Sequence, residues 1–482
     1  MHIIDGVIFG LYMLGVLGIG YYFMHDHDTA DDYYLAGRDM SSGHIGLSVV
    51  ATDVGGGFSI GLGGLGFMMG LSGSWMLFTG LLGAWISAVV LIPRVKALGE
   101  AEHYSTFPAL FNHFYGPTAA LLAGIISALG YAGFTSSQIL AGAKLATATF
   151  EPLSLTTALI AMGIIVVVYT GMGGMKAVIY TDTVQWIILM SGLIFIGLPL
   201  SYVAVGGYAG ITAAVDPSML SLTDVTPVRL INWGVTILPI WFVGMTLYQR
   251  IYAARDTQTA QRAWYLAGLF EWPVMAFMGV TLGLFGRVAA EQGMFAPMGY
   301  PSAAVMDAEM GLPLLLRTVL PVGLLGLMLS AYFSAIMSTA DSCLVAASGN
   351  LTSDIIDAFL PSETHAQAVQ RSQWATVGLG SAALVLALSM ENVLNLMLKS
   401  YAFMVSGLLV PLLGALFTSW GTRAGAIGAM LVGGTTTVAL GASGWALPWG
   451  LDANAFGIAA AAAVYSAVSL GWPQPAHPTE AA

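Results

Sequence analysis

Four acidic residues of this 482-residue chain lie inside long apolar stretches, where a carboxylate could bind an ion or exchange a proton. They are Asp53, Asp182, Glu271 and Asp341. A charge at membrane depth costs about 2.5–3.5 kcal/mol on insertion scales, so it is rarely kept without a role in an ion or substrate pathway. Glu271 has no polar cluster around it, and its role stays open, as does that of Lys399 within another apolar stretch.

Hydroxyl side chains crowd around Asp341. Ser338, Thr339 and Ser342 lie within about one helical turn of it, and spacings of three and four residues put Ser338, Asp341 and Ser342 on one helix face. Hydroxyls in membrane helices usually bond to carbonyls of their own helix. That would explain two of these groups, but not four polar groups that include an acid. The segment is therefore a candidate binding site.

Asp53 is followed by three consecutive glycines, Gly55 to Gly57. Each glycine weakens a helix by about 1 kcal/mol relative to alanine, so we expect the helix to break there. Unwound backbone frees carbonyl oxygens, which suit a hard cation such as sodium. Close helix packing at the glycines is the alternative. Asp182 has two explanations: it belongs to an ion or substrate pathway, or it lies at a helix N-terminus, where the helix dipole favours an acid.

Composition excludes several other classes of function. With 14 Lys and Arg against 25 Asp and Glu, the formal net charge is −11, so no basic surface is available for nucleic acid. A single cysteine, Cys343, cannot form an internal disulfide. The histidines fall in loops, termini or span edges, and no metalloprotease or phosphate-binding motif is present. We expect a transporter rather than an enzyme, with no organic cofactor.

The chain reads as an all-α integral membrane protein, because 57% of its residues are hydrophobic and only 8% are charged. A helix needs about 20 apolar residues to cross a bilayer. By that measure we expect about thirteen transmembrane helices in one polytopic domain, 1–472, followed by a short tail, 473–482. The predicted spans are 3–24, 43–71, 73–93, 118–147, 152–170, 176–205, 229–249, 261–287, 312–346, 373–391, 393–419, 424–442 and 445–471.

Basic residues set the expected orientation, since Lys and Arg are enriched in cytoplasmic loops. Thirteen spans with the larger basic set inside place the N-terminus outside and the C-terminus in the cytoplasm. The smaller set is Arg229, Arg287 and Arg317. The larger set, assigned to loops on the opposite side, is Arg38, Arg94, Lys96, Lys176, Arg250, Arg255, Arg262, Arg371 and Arg423.

Five motifs, in order and with matching spacing, resemble the sodium/solute symporter family, which transports solutes such as proline, galactose and sialic acid. The resemblance covers roughly residues 5–420. The motifs are TyrTyrLeuAlaGlyArg (33–38), AlaThrAspValGlyGly (51–56), GlyGlyMetLysAlaValIleTyrThrAspThrValGln (173–185), GlnArgIleTyrAlaAlaArgAsp (249–256) and SerAlaIleMetSerThrAlaAspSer (334–342).

The resemblance implies two inverted five-helix repeats of the LeuT type, about 43–205 and 229–420, with one extra helix before them and two after. The first span of each repeat is interrupted in the sequence, by Gly55–Gly57 and by Pro239. Broken helices of this kind frame the site in such folds.

Carried over by position, the resemblance implies a main sodium site and a possible second one. The main site would use carbonyls of Ala51, Val54 and Ala335 with the hydroxyls of Ser338 and Thr339. The second site would use Asp182, Ser338, Asp341 and Ser342.

The candidates for the solute site rest on the same resemblance. They are Asp53, Gly55, Phe58, Gln138, Trp241 and Phe242. Proline-transporting members carry an acid at the position of Asp53, whereas sugar-transporting members have a neutral residue there. An acid with aromatics suits an amino acid such as proline, or a betaine- or choline-like compound. A carboxylate substrate remains an alternative, with sodium beside Asp53.

We therefore expect a sodium-coupled symporter that imports a small organic solute by alternating access across the plasma membrane, here a bacterial inner membrane. Its partners would be the solute and the lipid bilayer. Two alternatives stay open. In a proton-coupled carrier, Asp182 or Asp341 would titrate instead of binding sodium. A membrane sensor usually carries a fused signalling domain, which a tail of some ten residues argues against.

Overall fold

A computed structural model of the chain describes residues 2–23, 38, 40–53, 55–150, 153–360 and 364–472. The fold over these ranges is built from helices, with π-helical stretches at Leu193–Gly197, Glu271–Ala276 and Asn350–Ile356. The α-helices are α1 (Ile3–Phe23), α2 (Ser42–Asp53), α3 (Gly56–Met69), α4 (Trp75–Val90), α5 (Ile92–Ala101), α6 (Pro108–Tyr115), α7 (Pro117–Thr149), α8 (Leu155–Gly192), α9 (Leu198–Ala204), α10 (Gly207–Ala214), α11 (Pro227–Val243), α12 (Met245–Ala253), α13 (Thr257–Phe270), α14 (Phe277–Glu291), α15 (Gly311–Val319), α16 (Leu324–Gly349), α17 (Asp357–Phe359), α18 (His365–Ala387), α19 (Val393–Phe417), α20 (Arg423–Ser443) and α21 (Ala453–Gly471).

These helices confirm an all-α membrane architecture. Within the described ranges, eight helical segments are long and apolar enough to cross a membrane, and the bent pair α11 and α12 would make a ninth. Several predicted spans have different limits in the structure, and the helix of the predicted span 445–471 begins only at Ala453. The predicted span 312–346 is interrupted at 320–323, between α15 and α16.

A further difference lies at 171–175, where we predicted a loop between the spans 152–170 and 176–205. The apolar segments Leu155–Thr170 and Asp182–Ala204 stay separate, but helix α8 is continuous through 171–175. Gly171, Gly173 and Gly174 do not break it, because glycine lowers helix stability without removing a hydrogen-bond donor. Lys176 therefore lies on a helix and not in a loop. Asp182 lies well inside α8, so the interpretation of Asp182 as an acid at a helix N-terminus is wrong.

The first predicted helix break is confirmed. Helix α2 ends at Asp53 and α3 begins at Gly56, with Gly55 as its N-cap residue. The hydroxyl and the backbone N–H of Ser59 both donate to the Gly55 carbonyl, at 3.2 and 3.1 Å. The break therefore sits at the glycines that predicted it.

The second break is not at Pro239, where we predicted it, but at Gly244, where α11 and α12 meet at a bend of 41°. Proline has no backbone N–H, so it cannot donate a hydrogen bond to the carbonyl four residues before it. Here the Asn454 side chain donates to that carbonyl, Val235 O, at 3.2 Å, so α11 continues through the proline.

The new helix start after Gly244 is stabilised by Tyr131 of α7. The backbone N–H of Thr246, one of the first in α12, donates to the Tyr131 hydroxyl at 3.1 Å. N–H groups in the first turn have no partner within their own helix. A hydroxyl from another helix supplies one, so tertiary contact fixes the position of this break.

The first broken helix starts beside the end of the second, as expected for inverted repeats. The N–H of Met40, just before α2, donates to the carbonyl of Ala253 at the end of α12, at 3.0 Å. Helix α16 lies at the centre of the packing and contacts α2, α3, α7, α8 and α12. Every residue of α16 from Met328 to Gly349 is buried. Its polar residues therefore face other helices rather than lipid.

Candidate cation-binding site

The break after α2 lies against the hydroxyl of Thr339 on α16. Thr339 Oγ1 is 3.1 Å from the Ala51 carbonyl oxygen and 3.0 Å from the Ala335 carbonyl oxygen. Gly55 makes this approach possible, since a Cβ there would lie 1.7 Å from Thr339 Oγ1. Three predicted ligands of the main sodium site thus converge. Val54 lies outside the described residues.

Ser338 links this group to Asp182 on α8. The Ser338 hydroxyl donates to Asp182 Oδ1, and the Ser48 hydroxyl of α2 donates to Asp182 Oδ2 at 2.6 Å. All three residues are buried. A buried carboxylate is stable only when hydrogen bonds or an opposite charge replace its lost hydration. The predicted main and second sites therefore share one polar cluster.

Arg250 supplies the opposite charge in this cluster. Its Nη2 lies 3.5 Å from Asp182 Oδ2, and it also donates to Thr52 Oγ1 at 2.5 Å and to Ser342 Oγ at 3.0 Å. Its Nε donates to Ser48 Oγ at 3.1 Å. The prediction of Arg250 in a cytoplasmic loop is wrong, because it is fully buried on α12.

Asp341 belongs to a neighbouring contact. Its Oδ1 accepts a hydrogen bond from Thr170 Oγ1 of α8 at 2.6 Å, whereas its Oδ2 is buried without a hydrogen-bond partner. Of the predicted second-site residues, Asp182 and Ser338 are in direct contact, and Ser342 joins them through Arg250. The carboxylate of Asp341 is turned to Thr170 instead.

A small, partly open and mostly apolar space adjoins the cluster between α2, α8, α16 and the π-helical stretch before α14. It has room for about one water-sized particle. Its polar residues are Asp182, Gln185 and Ser338. The remaining lining residues are Ala51, Gly55, Trp186, Leu189, Met190, Met275 and Ala335.

Of the predicted solute-binding residues, Gly55 lines this space, whereas Gln138, Trp241 and Phe242 do not. The Trp241 ring packs against Gly83 of α4, where an added Cβ would lie 2.5 Å from the ring. Gln138 on α7 is buried, with its Nε2 3.2 Å from Ser137 Oγ. Phe242 is also buried. The side chains of Asp53 and Phe58 lie outside what the structure describes.

Sequence reasoning missed several members of the cluster. One signal was present, because Arg250 stands in the motif 249–256. Ser48 and Thr52 are four residues apart, so they share a face of α2 with the same geometry that singled out Ser338 and Ser342. The overlooked residues are Ser48, Thr52, Thr170, Gln185 and Arg250.

Comparison with known proteins identifies the family of the chain that carries this cluster. The profile of the sodium:solute symporter family matches residues 33–433. The chain belongs to the sodium:solute symporter family. Membership confirms the prediction that the chain is a sodium-coupled transporter and not an enzyme. Sodium is the coupling ion that the family name specifies.

Two bacterial relatives of this symporter cover most of the chain. The sodium/proline symporter of Escherichia coli (strain K12) is 28% identical over 455 residues, which are 91% of this chain and 88% of that protein. The high-affinity proline transporter PutP of Bacillus subtilis (strain 168) is 30% identical over 444 residues, covering 88% of this chain and 89% of the relative.

A solved structure shows the same fold. It is the substrate-bound outward-open state of a Na+-coupled sialic acid symporter, which superposes with a TM-score of 0.78 at 19% identity. The match covers 98% of this symporter and 99% of that chain. The predicted LeuT-type architecture is thereby confirmed.

Proposed function

We propose that this symporter imports proline, or an amino acid close to it, together with sodium. The observation that carries the sodium step is the meeting of Ala51 O, Ala335 O and Thr339 Oγ1 at a helix break within the membrane. Proline transport by the two bacterial relatives supports the choice of solute. A betaine- or choline-like compound is the second choice.

In this proposal the main sodium ion binds carbonyls of Ala51, Val54 and Ala335 and the hydroxyls of Ser338 and Thr339. Hydroxyl oxygens accept a cation on their lone pairs while their hydrogens point elsewhere. The Ser338 hydrogen already points to Asp182. Bound sodium would hold the break after α2 against α16 and stabilise the outward-open state. Its loss to the cytoplasm would release the solute inward.

The coupling is strong enough for uphill import. One sodium ion moving down 100 mV contributes about 2.3 kcal/mol, and a tenfold concentration gradient contributes about 1.4 kcal/mol. Together they support accumulation of a neutral solute by about a few hundredfold.

A second sodium ion at Asp182, Ser338, Asp341 and Ser342 is a further part of the proposal. Arg250 contacts Asp182 and Ser342 in the structure, so its guanidinium must move before sodium can bind both residues. The solute site is proposed to include Asp53, Gly55, Phe58, Gln138, Trp241 and Phe242, some of which must then rearrange toward a shared cavity.

We also propose that the symporter lies in a bacterial inner membrane with its N-terminus outside and its C-terminus in the cytoplasm. Arg250 and Lys96 are left out of the count because they are buried, and Lys176 because it lies well inside α8. The other six basic residues of the larger set still outnumber Arg229, Arg287 and Arg317. The proposed cytoplasmic side therefore still carries more Lys and Arg than the proposed external side.

Uptake of radiolabelled proline into proteoliposomes tests the function. At fixed pH, an inward sodium gradient is expected to drive accumulation, whereas equal potassium or choline gradients are not. The double variant Ser338→Ala with Thr339→Ala should abolish sodium-driven uptake. A matched control is Ser330→Ala with Ser348→Ala, because both hydroxyls bond to carbonyls of their own helix α16.

Two results would contradict the proposal. Accumulation that follows a proton gradient without sodium would indicate a proton-coupled carrier. Sodium-dependent stabilisation without uptake of proline, betaine or choline would leave sodium binding intact and overturn the choice of solute.

A further inference from the structure

Two short helices, α5 and α6, and the turn between them lie along α12, the second half of the bent pair. We call this segment, residues 92–115, the strap. At the start of α12, the backbone N–H of Phe107 donates to the Met245 sulfur at 3.1 Å. At its end, α5 packs so closely that a Cβ on Gly99 would lie 2.5 Å from the Tyr252 ring. The strap therefore contacts α12 at both of its ends.

Lys96 of the strap is a buried cation that the proposed sodium and solute sites do not use. Its ammonium donates to the Ala254 carbonyl at 2.6 Å and to the Tyr252 carbonyl at 3.3 Å. Ala254 is the C-cap residue of α12. The last carbonyls of a helix have no partner within the helix, and a positive charge is favoured beside them. Lys96 thus caps α12 from another part of the fold.

The two broken helices meet at the end of α12 that Lys96 caps. The N–H of Met40, just before α2, donates to the Ala253 carbonyl at 3.0 Å. In the proposed orientation this joint faces the cytoplasm, because Arg38 belongs to the cytoplasmic basic set. Arg250 of the polar cluster lies only four residues before Ala254 on α12. A movement of α12 at the joint therefore also moves a residue of the cluster.

We propose that Lys96 is a positioning residue for α12 and holds the cytoplasmic side of the transport pathway closed. Its ammonium keeps the strap on α12 and so keeps the joint with α2 together. The contact with the Ala254 carbonyl breaks when sodium and solute are released inward. The inference rests on the proposed function. It adds a residue outside the sodium and solute sites that sets the balance between the outward-open and inward-open states.

Hydrogen exchange of the detergent-purified full chain tests whether Lys96 holds α12. Lys96→Met keeps an apolar stem of similar length and removes the ammonium. We expect the amides of α12 and of Met40 to exchange about tenfold faster in this variant, because the joint opens more often. The amides of α20 should exchange as in the wild type. Lys96→Arg keeps the charge and the N–H donors, so it should restore wild-type exchange.

A sodium titration by thermal shift, run beside potassium, gives the second measurement. Sodium is proposed to stabilise the outward-open state, so a variant that populates the inward-open state must be converted before it binds. We expect half-maximal stabilisation of Lys96→Met to require about tenfold more sodium.

The matched control is Glu100→Gln. Glu100 Oε1 lies 3.4 Å from the Lys96 ammonium, and the Glu100 side chain is exposed. This substitution removes the ion pair but leaves the ammonium on the carbonyls of α12. Its exchange at α12 and its sodium midpoint should match those of the wild type.

The outcomes separate this inference from the function on which it rests. If sodium stabilises the wild type selectively, wild-type exchange at α12 in folded Lys96→Met overturns the inference alone. Faster exchange at an unchanged sodium midpoint would show a merely structural cap and overturn it equally. If sodium and potassium act alike on the wild type, the proposed function fails and this inference fails with it.

A second variant guards against misfolding of Lys96→Met. Gly99→Ala places a Cβ against the Tyr252 ring and so pushes the strap away from α12 while Lys96 is retained. We expect faster exchange at α12 and a higher sodium midpoint here too. Wild-type values of both in Gly99→Ala, when Lys96→Met does not fold, would overturn the inference.

Discussion

Gly55 is packed so closely against Thr339 that no side chain fits between them. A Cβ at this position would lie 1.7 Å from Thr339 Oγ1 and 2.8 Å from the Ala51 carbonyl oxygen. Both atoms belong to the proposed main sodium site. The backbone torsions of Gly55, φ −59° and ψ −173°, are open to any residue, so the requirement for glycine comes from space alone.

The substitution Gly55→Ala should therefore separate Thr339 from Ala51 and weaken sodium binding. We expect at least a tenfold rise in the sodium concentration for half-maximal uptake, about 1.4 kcal/mol. The control is Gly234→Ala on α11, where an added Cβ meets no atom within 4 Å. Gly234→Ala should leave the sodium dependence of uptake unchanged. If Gly55→Ala also leaves it unchanged, the main sodium site lies elsewhere.

At the scale of elements, a buried ion cluster ties three parts of the fold together. Lys144 of α7 donates to Glu309 Oε2 and Asp307 Oδ2, each at 2.5 Å. Glu309 also accepts the N–H groups of Val393 and Leu394 at the start of α19, at 2.9 and 3.0 Å. One carboxylate thus serves a buried lysine and a helix N-terminus, where negative charge is favoured.

Neutralising this carboxylate should loosen the contact between α7, α19 and the turn before α15. Glu309→Gln leaves Lys144 with only the half-exposed Asp307. Removing one partner of a buried ion pair costs about 3–5 kcal/mol. We expect a clearly lower melting temperature in detergent. The matched control, Glu291→Gln, breaks a partly exposed pair with Arg287 and should change it little. Equal melting temperatures for the two variants would contradict this account.

At the scale of the whole molecule, the proposed orientation fixes which loops face outward. The loop between α19 and α20 lies next to Arg423 and is predicted to be cytoplasmic, so the following loop, between α20 and α21, is predicted to be external. Ser419 in the first loop and Ala446 in the second are both exposed. The native Cys343 is fully buried and should not react.

Single cysteines in these loops therefore report the orientation. In right-side-out vesicles, a membrane-impermeant maleimide is expected to label Ala446→Cys, and to label Ser419→Cys only after permeabilisation. The unsubstituted chain serves as the background control. The reverse pattern would invert the topology and put the basic loops outside.

Several features could be predicted from the sequence because they depend on neighbouring residues. Long apolar runs predict membrane helices whatever surrounds them, since the bilayer sets their length. Three adjacent glycines weaken a helix locally, so the break near Gly55 was predictable. Hydroxyls three and four residues apart share a helix face, which placed Ser338 and Ser342 in the candidate site before any contact was known.

Other features were decided by the tertiary structure, because they depend on contacts between residues distant in the chain. Asn454 lets α11 continue through Pro239, and Tyr131 stabilises the helix that starts after Gly244. No local pattern carries either contact. Arg250 looked like an ordinary loop cation, yet folding buries it beside Asp182, 68 residues away in the chain. Burial is tolerable only because carboxylate and hydroxyl groups from other helices replace its hydration. The sequence by itself determined the membrane class and the first helix break, while packing alone decided which charges meet.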